Sequence, residues 1–378
     1  MLVFGRDDVS VSASCLVREL RPEHRAQLSP RGTHYNLGGR PYVAGGSTGD
    51  THNPVMAAWL GLGSWIGSHL MLIVPVGVAL GVACPQLLQP LRPYVPFLFF
   101  VMTFQNSLGN ELASMKKALR QPLVLLTVLL MVHVFMPLLT YGAACLVYGS
   151  GSPTVAGVVL EYSVPIGAST VMWIGMFGGE MALGLAALLA STLLAPFSIP
   201  LTLKLLVGAT VEVDALSMMS SMAIMIAVPA LLATAVNELS RGWAKEHLLP
   251  VTTPLSRIIL PLIVSTNATG IASYLHNLTP RLVGIIVFML VFAVLSFVLG
   301  MLLARCLSKE RERFVALSFS CGIRNVSAGA VLASQYFGPE VMFPAVIGTL
   351  FQQYLAAFFG RVMERVLAHG RESGKGDA

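Results

Sequence analysis

The stretches without charge constrain this chain more than any other feature. Gln121 to Leu160 contains no Asp, Glu, Lys or Arg, and comparable stretches follow at intervals towards the C-terminus. A helix that crosses a bilayer needs about 20 mostly apolar residues. Only 11% of all residues are charged and 55% are apolar, against roughly 25% and 45–50% in soluble domains. These proportions exclude an ordinary soluble enzyme, a disordered chain, a coiled coil and a secreted disulfide scaffold.

Polar residues and prolines divide the apolar sequence into ten predicted membrane helices, which we number H1 to H10 in chain order. The stretch that begins at Gln121 is too long for one pass, so we divide it at residues 148–153 into H3 and H4, and H4 continues through Val171. The other eight are Trp59–Cys84, Pro93–Asn110, Met181–Leu203, Ala215–Asn237, Ile258–Thr279, Leu282–Ala304, Phe314–Tyr336 and Val341–Gly360.

The positions of the basic residues support this count. With the N-terminus inside, Arg92, Lys204 and Arg281 are the Lys and Arg residues in outside loops, and Arg324 lies within H9. All other Lys and Arg residues fall in the two tails or in the loops after H2, H6 and H8. Because inside loops carry the excess of Lys and Arg, we expect a multi-pass protein of the plasma or inner membrane with both termini in the cytoplasm.

The chain is expected to form one membrane domain between two tails. Residues 1–55 read as a flexible cytoplasmic tail, since they hold six Arg among Ser and Gly and no apolar run long enough for a signal peptide; a start at Met56 is the alternative. The ten-helix domain is expected at 56–366, with repeat one at 56–206 and repeat two at 213–366, and a cytoplasmic tail at 367–378. The net charge of +6 is dispersed, which argues against nucleic-acid binding.

H4 and H9 contain residues that interrupt a helix at mid-depth. Pro165 cannot donate a backbone hydrogen bond, and Gly167, Gly322 and Gly329 weaken the helix. Freed backbone groups are tolerated in a membrane where protein or a water-filled cavity satisfies them. H4 and H9 are each fourth in a set of five helices, and because five is odd the second set is inverted. Paired interrupted helices in inverted repeats indicate a transporter binding site; tight packing of small residues is the alternative.

Each interrupted helix also carries one charge. An Arg at the membrane centre costs at least about 2.5 kcal/mol and usually faces a cavity or a partner. Arg324 lies about ten residues into H9, roughly 15 Å from the inner face, and Glu161 lies at a depth that agrees to about one helical turn. One interpretation is that the two side chains form a structural ion pair, and the other is that Arg324 is an anion receptor. Both hold if the substrate competes with Glu161 for the guanidinium.

The predicted substrate-binding set groups the polar and helix-breaking residues around these charges: Arg324, Asn325, Ser327, Ser320, Glu161, Pro165, Ser169 and Thr170. His133 in H3 lies at a similar depth and is a candidate for proton coupling, with a satisfied packing role as the alternative. Gln105, Asn110 and Asn267 either line the cavity or form hydrogen bonds between helices. The sequence contains no catalytic motif, phosphate-binding loop or metal-ligand spacing, so we expect no enzyme activity, no cofactor and no metal.

Four motifs carry a family resemblance over about residues 60–365. They are Val164-Pro-Ile-Gly-Ala-Ser-Thr170, Ala190-Ser-Thr-Leu-Leu-Ala-Pro196, Ser320-Cys-Gly-Ile-Arg-Asn-Val-Ser-Ala-Gly-Ala-Val331 and Phe351-Gln-Gln353. With these motifs the chain resembles the bile acid:sodium symporter superfamily. The resemblance implies an all-α integral membrane protein of ten transmembrane helices in two inverted five-helix repeats, with a panel of H1, H2, H6 and H7 and a core in which the discontinuous H4 and H9 cross.

The chain departs from the family's sodium-coupled members. Those members carry a Glu and a Gln near the positions of Ser320 and Arg324, and a Ser-Asn pair near Thr170 and Val171. Sodium is a hard cation that prefers oxygen ligands, as other hard cations do. Arg324 places a fixed positive charge where the resemblance implies a sodium ion, so we expect no sodium coupling of the usual kind.

These observations predict a secondary active transporter of a small organic anion that works by alternating access. Its expected partners are that anion, a coupling ion that is either a proton or sodium, and the lipid bilayer. One alternative is a proton-coupled exporter that resembles the arsenite-type or auxin-type relatives. Another is a membrane sensor or enzyme scaffold, which requires a catalytic group or an output domain that this sequence does not show.

Overall fold

Long apolar helices dominate the computed structural model, which describes residues 34–35, 41–42, 54–110, 122–208, 214–275 and 279–373. Within the described residues, eight helical spans are long and apolar enough to cross a membrane, which confirms a multi-pass membrane protein. These spans are Pro54–Ala83, Pro85–Ser107, Pro122–Tyr148, Met181–Val207, Ala215–Leu239, Ala244–Leu275, Pro280–Leu307 and Pro339–Leu367.

Several of these spans contain more than one type of helix. The first span is the single helix α1 (Pro54–Ala83). The second consists of α2 (Pro85–Leu88), the 3₁₀ turn Gln89–Tyr94 and α3 (Val95–Ser107). The third consists of α4 (Pro122–Leu130), the π turn Met131–Phe135 and α5 (Met136–Tyr148). After α8 (Met181–Val207) come α9 (Ala215–Met222), a π turn Ala223–Ala227 and α10 (Val228–Leu239). The next span consists of the π turn Ala244–Leu248, α11 (Leu249–Ala268), the 3₁₀ turn Thr269–Ile271 and α12 (Ala272–Leu275). The last two spans lie in α13 (Pro280–Leu307) and α16 (Pro339–Ser373).

The predicted H4 and H9 are each two short helices. H4 consists of α6 (Pro153–Ser163) and α7 (Ser169–Met176), and H9 consists of α14 (Arg311–Gly322) and α15 (Val326–Tyr336). The interruptions lie where Pro165, Gly167 and Arg324 predict them. The part of the chain that the structure describes contains eight single spans where ten helices are predicted, because neither half of a divided helix is long enough to cross a bilayer alone.

Several helix boundaries differ from the sequence expectation. The helix predicted as Ile258–Thr279 begins at Ala244, so Arg257 lies within a helix and not in a loop. The first helix begins at Pro54, and α16 continues to Ser373. A helix keeps its own backbone hydrogen bonds in water as well as in lipid, so apolar length fixes only the buried part of it.

The chain forms two compact units, residues 1–64 and residues 65–378. In the first unit, β1 (His34–Tyr35) pairs antiparallel with β2 (Pro41–Tyr42), with His34 opposite Tyr42. The rest of the expected tail before residue 54 lies outside the described residues, as do residues 374–378 at the other end.

In the second unit the short helices form the centre. Every residue of α6 from Thr154 to Ser163 is buried, as is every residue of α14 from Phe314 to Gly322. By contrast, only 17% of an apolar 18-residue stretch within Pro85–Ser107 is buried, and 56% of such a stretch within Met181–Val207 is buried. The divided helices therefore lie inside the bundle, and α6 packs against α5, α8 and α16.

Candidate functional site

The two helix interruptions lie against each other. The backbone N–H of Gly167 donates to the carbonyl of Ile323 at 3.2 Å, and the N–H of Asn325 donates to the carbonyl of Pro165 at 2.7 Å. These two bonds make a short antiparallel pair. Pro165 and Asn325, predicted from separate helices, are thereby brought into direct contact, and we call this place the crossing.

Side chains from two neighbouring helices satisfy the other freed donors. The N–H of Ile166 donates to Ser191 Oγ at 3.0 Å, and the N–H of Arg324 donates to Gln352 Oε1 at 3.2 Å. A buried N–H without a partner is costly, so these acceptors stabilise the crossing. Ser191 and Gln352 were not predicted as site residues from the sequence, although both lie in motifs that carry the resemblance.

Gly167 is required at the crossing by space. A Cβ at this position would lie 2.6 Å from the carbonyl oxygen of Arg324 and 3.0 Å from its carbonyl carbon. Both are backbone atoms, so no side-chain rotation relieves the contact. The absence of a side chain lets the two interrupted backbones approach closely enough to form hydrogen bonds.

Arg324 places a guanidinium in the middle of the second unit. Only 3% of the residue is exposed. Nη1 donates to the carbonyl of Val132 at 3.0 Å, and Val132 belongs to the π turn Met131–Phe135, a type of distortion frequent at functional sites. Among the described residues, Nε and Nη2 have no hydrogen-bond partner. The guanidinium is therefore anchored on one nitrogen and available on the other two.

Glu161 is buried to 2% exposure on α6, and its Oε2 has no hydrogen-bond partner in the part of the chain that the structure describes. Two glycines flank the carboxylate: a Cβ on Gly329 would lie 2.5 Å from Oε2, and a Cβ on Gly348 would lie 2.7 Å from Oε1. Within the described ranges, no ion pair of 4.0 Å or less joins Glu161 to Arg324. The structural ion pair that the sequence left open is not formed here.

Glu161 and Arg324 line the same small cavity. Its volume is about 20 Å³, enough for one water-sized sphere. The polar part of the lining also includes Ser296 and Gln352, and an apolar part is formed by residues such as Phe297. In this conformation the cavity admits no organic molecule.

His133 connects the π turn to the first interruption. Its Nε2 lies 2.8 Å from Ser191 Oγ and its Nδ1 lies 2.9 Å from Ser198 Oγ. Both ring nitrogens are within hydrogen-bond distance of a hydroxyl, and the ring is 4% exposed. His133 therefore supports the same serine that caps Ile166.

Two other predicted residues hold helices in place. Asn325 Oδ1 accepts from the N–H of Ala328 at 3.3 Å and caps α15. Ser169 Oγ accepts from Gln353 Nε2 at 3.3 Å, and Gln353 Oε1 accepts from Trp173 Nε1 at 3.0 Å. These bonds connect α7 to α16.

Ser320, Ser327 and Thr170 are buried near the crossing but outside the cavity lining. Among the described residues, Thr170 Oγ1 has no hydrogen-bond partner. Of the nine predicted site residues, Glu161 and Arg324 share the cavity, Pro165 and Asn325 form the crossing, and Ser169 and His133 support it.

The polar residues of the outer helices have mixed roles. Gln105 Nε2 donates to Thr253 Oγ1 at 3.2 Å, a hydrogen bond between helices. The Asn110 carbonyl accepts from Asn237 Nδ2 at 3.1 Å. Asn267 is 1% exposed, and neither atom of its amide has a partner in the described part of the chain. Asn267 is therefore a further buried polar group without a partner among the described residues.

Comparison with known proteins gives a consistent result. The family model described as the Sodium Bile acid symporter family matches residues 95–278. The uncharacterized protein YbaS of Bacillus subtilis (strain 168) is 34% identical over 294 residues, which cover 78% of this chain and 96% of YbaS. This chain belongs to the sodium bile acid symporter family.

Two further relatives have names that state a transport activity. The "Uncharacterized sodium-dependent transporter YocS" of Bacillus subtilis (strain 168) is 24% identical over 81% of this chain and 95% of its own length. The "Probable sodium/metabolite cotransporter BASS1, chloroplastic" of Oryza sativa subsp. japonica is 26% identical over 82% and 76%. Family membership implies a transporter and not an enzyme. The range matched by the family model includes Glu161 but ends before Arg324.

Proposed function

We propose that this chain is a secondary active transporter of a small organic anion, that it works by alternating access, and that Arg324 is the anion receptor. The observation that carries the proposal is the buried guanidinium at the crossing, with two nitrogens that have no partner among the described residues. A charged group held inside a membrane protein usually faces a substrate pathway or a partner. Here the carboxylate that could have been the partner does not pair with it.

The two available nitrogens suit an anionic head group that presents two oxygens side by side. Nε and Nη2 carry the parallel N–H groups of one edge of the guanidinium, the arrangement that binds a carboxylate in bidentate fashion. The third nitrogen is held by the Val132 carbonyl, which fixes the direction of the open edge. A carboxylate or sulfonate is therefore the head group that the geometry favours.

The same charge opposes sodium at this place. At about 4 Å and an effective dielectric constant of 20, two positive charges repel each other by about 4 kcal/mol. Sodium-coupled relatives have neutral or acidic oxygen ligands near this position, as the family resemblance implies. We propose that the fixed charge of Arg324 replaces the ion, so that anion binding does not need sodium.

We propose further that the helices form two inverted five-helix repeats, at 56–206 and 213–366. The support is that the two interruptions have the same kind of hydrogen bond to the helix that follows them. Ile166 in the first is capped by Ser191 on the next long helix, and Arg324 in the second is capped by Gln352 on the next long helix. Tails at 1–55 and 367–378 complete the proposed organisation.

The proposed topology places both termini in the cytoplasm of a cell whose plasma or inner membrane holds the protein. Hydrogen bonds between helix ends are consistent with it. Arg313 Nε donates to Glu180 Oε2 at 3.2 Å, and both residues lie on the predicted inner side. Arg281 Nη2 donates to Ser152 Oγ at 2.8 Å, and both lie on the predicted outer side. Labelling of Lys309→Cys from outside the cell, in a background without other cysteines, would contradict this topology.

Anion binding to purified protein tests the function. We use pyruvate, benzenesulfonate and taurocholate as a short carboxylate, a sulfonate and a steroid anion, and measure affinity calorimetrically. Hydrogen bonds to charged groups are worth about 1.5–3 kcal/mol, so Arg324→Gln should weaken binding by about 10- to 150-fold. Arg324→Lys keeps the positive charge but not the two parallel N–H groups, so its anion affinity should lie between those of the wild type and Arg324→Gln.

The matched control is Arg281→Gln, which removes an arginine that contacts Ser152 at the helix ends and does not line the cavity. It should bind all three probe anions as the wild type does. Equal affinities in Arg324→Gln and Arg281→Gln would overturn the assignment of Arg324 as the receptor.

A further inference from the structure

Glu161 is a buried acid whose chemistry the anion receptor alone does not explain. Its residue is 2% exposed, and in the described part of the chain Oε2 has no donor to bind. A charged carboxylate in such a place is costly unless it is paired or protonated. Simple packing does not need an acid here, because every other residue of α6 around it is buried without one.

The neighbouring helices leave space for this carboxylate. Gly329 on α15 and Gly348 on α16 lie on two sides of it, and a Cβ on either would come within 2.7 Å of a carboxylate oxygen. Both positions therefore depend on having no side chain while Glu161 is present. The space, the acid and the cavity are three separate features of one place.

Charge balance connects Glu161 to Arg324. Both line the cavity of about 20 Å³. This volume has room for about one water molecule, which is able to bridge the two side chains. With no substrate, one carboxylate and one guanidinium make the cavity neutral. A bound monoanion adds a negative charge beside the carboxylate, and like charges in a site of low dielectric constant favour protonation of one of them.

Resting on the proposed function, we propose that Glu161 is the proton-carrying group of the transport cycle. When an organic anion binds to Arg324, the Glu161 carboxylate takes up one proton and becomes a neutral carboxylic acid. When the anion leaves, the acid releases that proton and the carboxylate again balances Arg324. One proton therefore moves with each monoanion, and no oxidant or other reactant is involved.

The groups around Glu161 leave it as the acid best placed for this role. Apart from Glu161, the titratable or charged residues that the described structure places in the cavity lining are Tyr162 and Arg324. Tyr162 is engaged, since its hydroxyl donates to the Met289 carbonyl at 3.0 Å. His133 lies on the π turn outside the lining, with both ring nitrogens near hydroxyls.

Titration calorimetry in two buffers with different ionisation enthalpies counts the protons. Bis-Tris and imidazole are suitable because neither is an anion, and the probes are again pyruvate, benzenesulfonate and taurocholate. Wild type should take up about one proton per anion bound, and by linkage its affinity should fall about tenfold per pH unit as the pH rises through the titration range. Glu161→Gln, which keeps the shape, should bind the anion without proton uptake and without this pH dependence.

Two control variants separate Glu161 from other candidates. Glu180→Gln removes an acid that pairs with Arg313 at the helix ends, and His133→Gln removes the other proton-coupling candidate. Glu180→Gln should keep the wild-type affinity and about one proton per anion bound. His133→Gln removes a support of the crossing and should weaken binding, but about one proton should still be taken up per anion bound. Unchanged proton uptake in Glu161→Gln, or its loss in His133→Gln alone, would overturn the inference while the anion receptor stands. Failure of wild type to bind any of the three probes would overturn the proposed function and the inference together.

Discussion

Substitution of Gly167 by Ala should break the crossing. The added Cβ would lie 2.6 Å from the Arg324 carbonyl oxygen, whereas carbon and oxygen in contact are about 3.3 Å apart. The two backbones must therefore separate by roughly 0.7 Å, which lengthens the Gly167–Ile323 hydrogen bond from 3.2 Å to about 3.9 Å, beyond hydrogen-bond range. That leaves a buried N–H and a buried carbonyl without partners, at about 1–3 kcal/mol each, so we expect a loss of about 2–6 kcal/mol.

The assay is the free energy of unfolding of purified protein in detergent, together with affinity for the probe anions. Gly142→Ala is the control, because a Cβ at Gly142 would have no atom within 4 Å outside its own helix backbone. In a helix interior that change should stabilise slightly, by about 0.5–1 kcal/mol. A Gly167→Ala protein as stable as Gly142→Ala, with normal anion affinity, would refute the reasoning.

Gln352→Ala and Ser191→Ala each remove the acceptor of a backbone N–H at the crossing, and each should cost about 1–3 kcal/mol in the same unfolding assay; no loss in either would contradict the capping role. Gly348→Ala would push a Cβ against the Glu161 carboxylate and should lower stability, with partial recovery when Glu161→Ala is added; an uncorrected double variant would argue against that contact. Deletion of residues 1–50, which hold no apolar block, should leave membrane insertion and anion binding unchanged, as judged by membrane fractionation and calorimetry.

The sequence alone was enough to predict the helix interruptions. Pro165, Gly167 and Arg324 disrupt otherwise apolar helices, and a membrane offers no water to satisfy the freed backbone groups. The structure places both interruptions at these residues. The polytopic class followed in the same way from long stretches without charge, because lipid penalises exposed charges.

The sequence did not predict what satisfies the interruptions. Ser191 and Gln352 are ordinary polar residues of long helices, and only the three-dimensional packing places them beside Ile166 and Arg324. The resemblance motifs contained both residues, so a signal was present without an assigned role. The π turn Met131–Phe135 has no sequence signature that separates it from a continuous helix.

The pairing of the two central charges could not be settled from depth alone. Agreement in depth to one helical turn leaves the rotation of each helix open, and rotation decides whether two side chains meet. In the structure Glu161 and Arg324 share a cavity without an ion pair. The role of Gly348 was likewise invisible, since its effect depends on the side chain of another helix.

The most direct test of the central claim is the affinity of the wild-type protein for pyruvate, benzenesulfonate and taurocholate in sodium medium and in choline medium at matched ionic strength. The fixed guanidinium of Arg324, buried at the crossing, already supplies the positive charge that an anion needs. We therefore expect equal affinities in the two media. Binding that requires sodium would contradict it, and would direct the search for ion ligands to the oxygens of Ser320, Ser327 and Thr170.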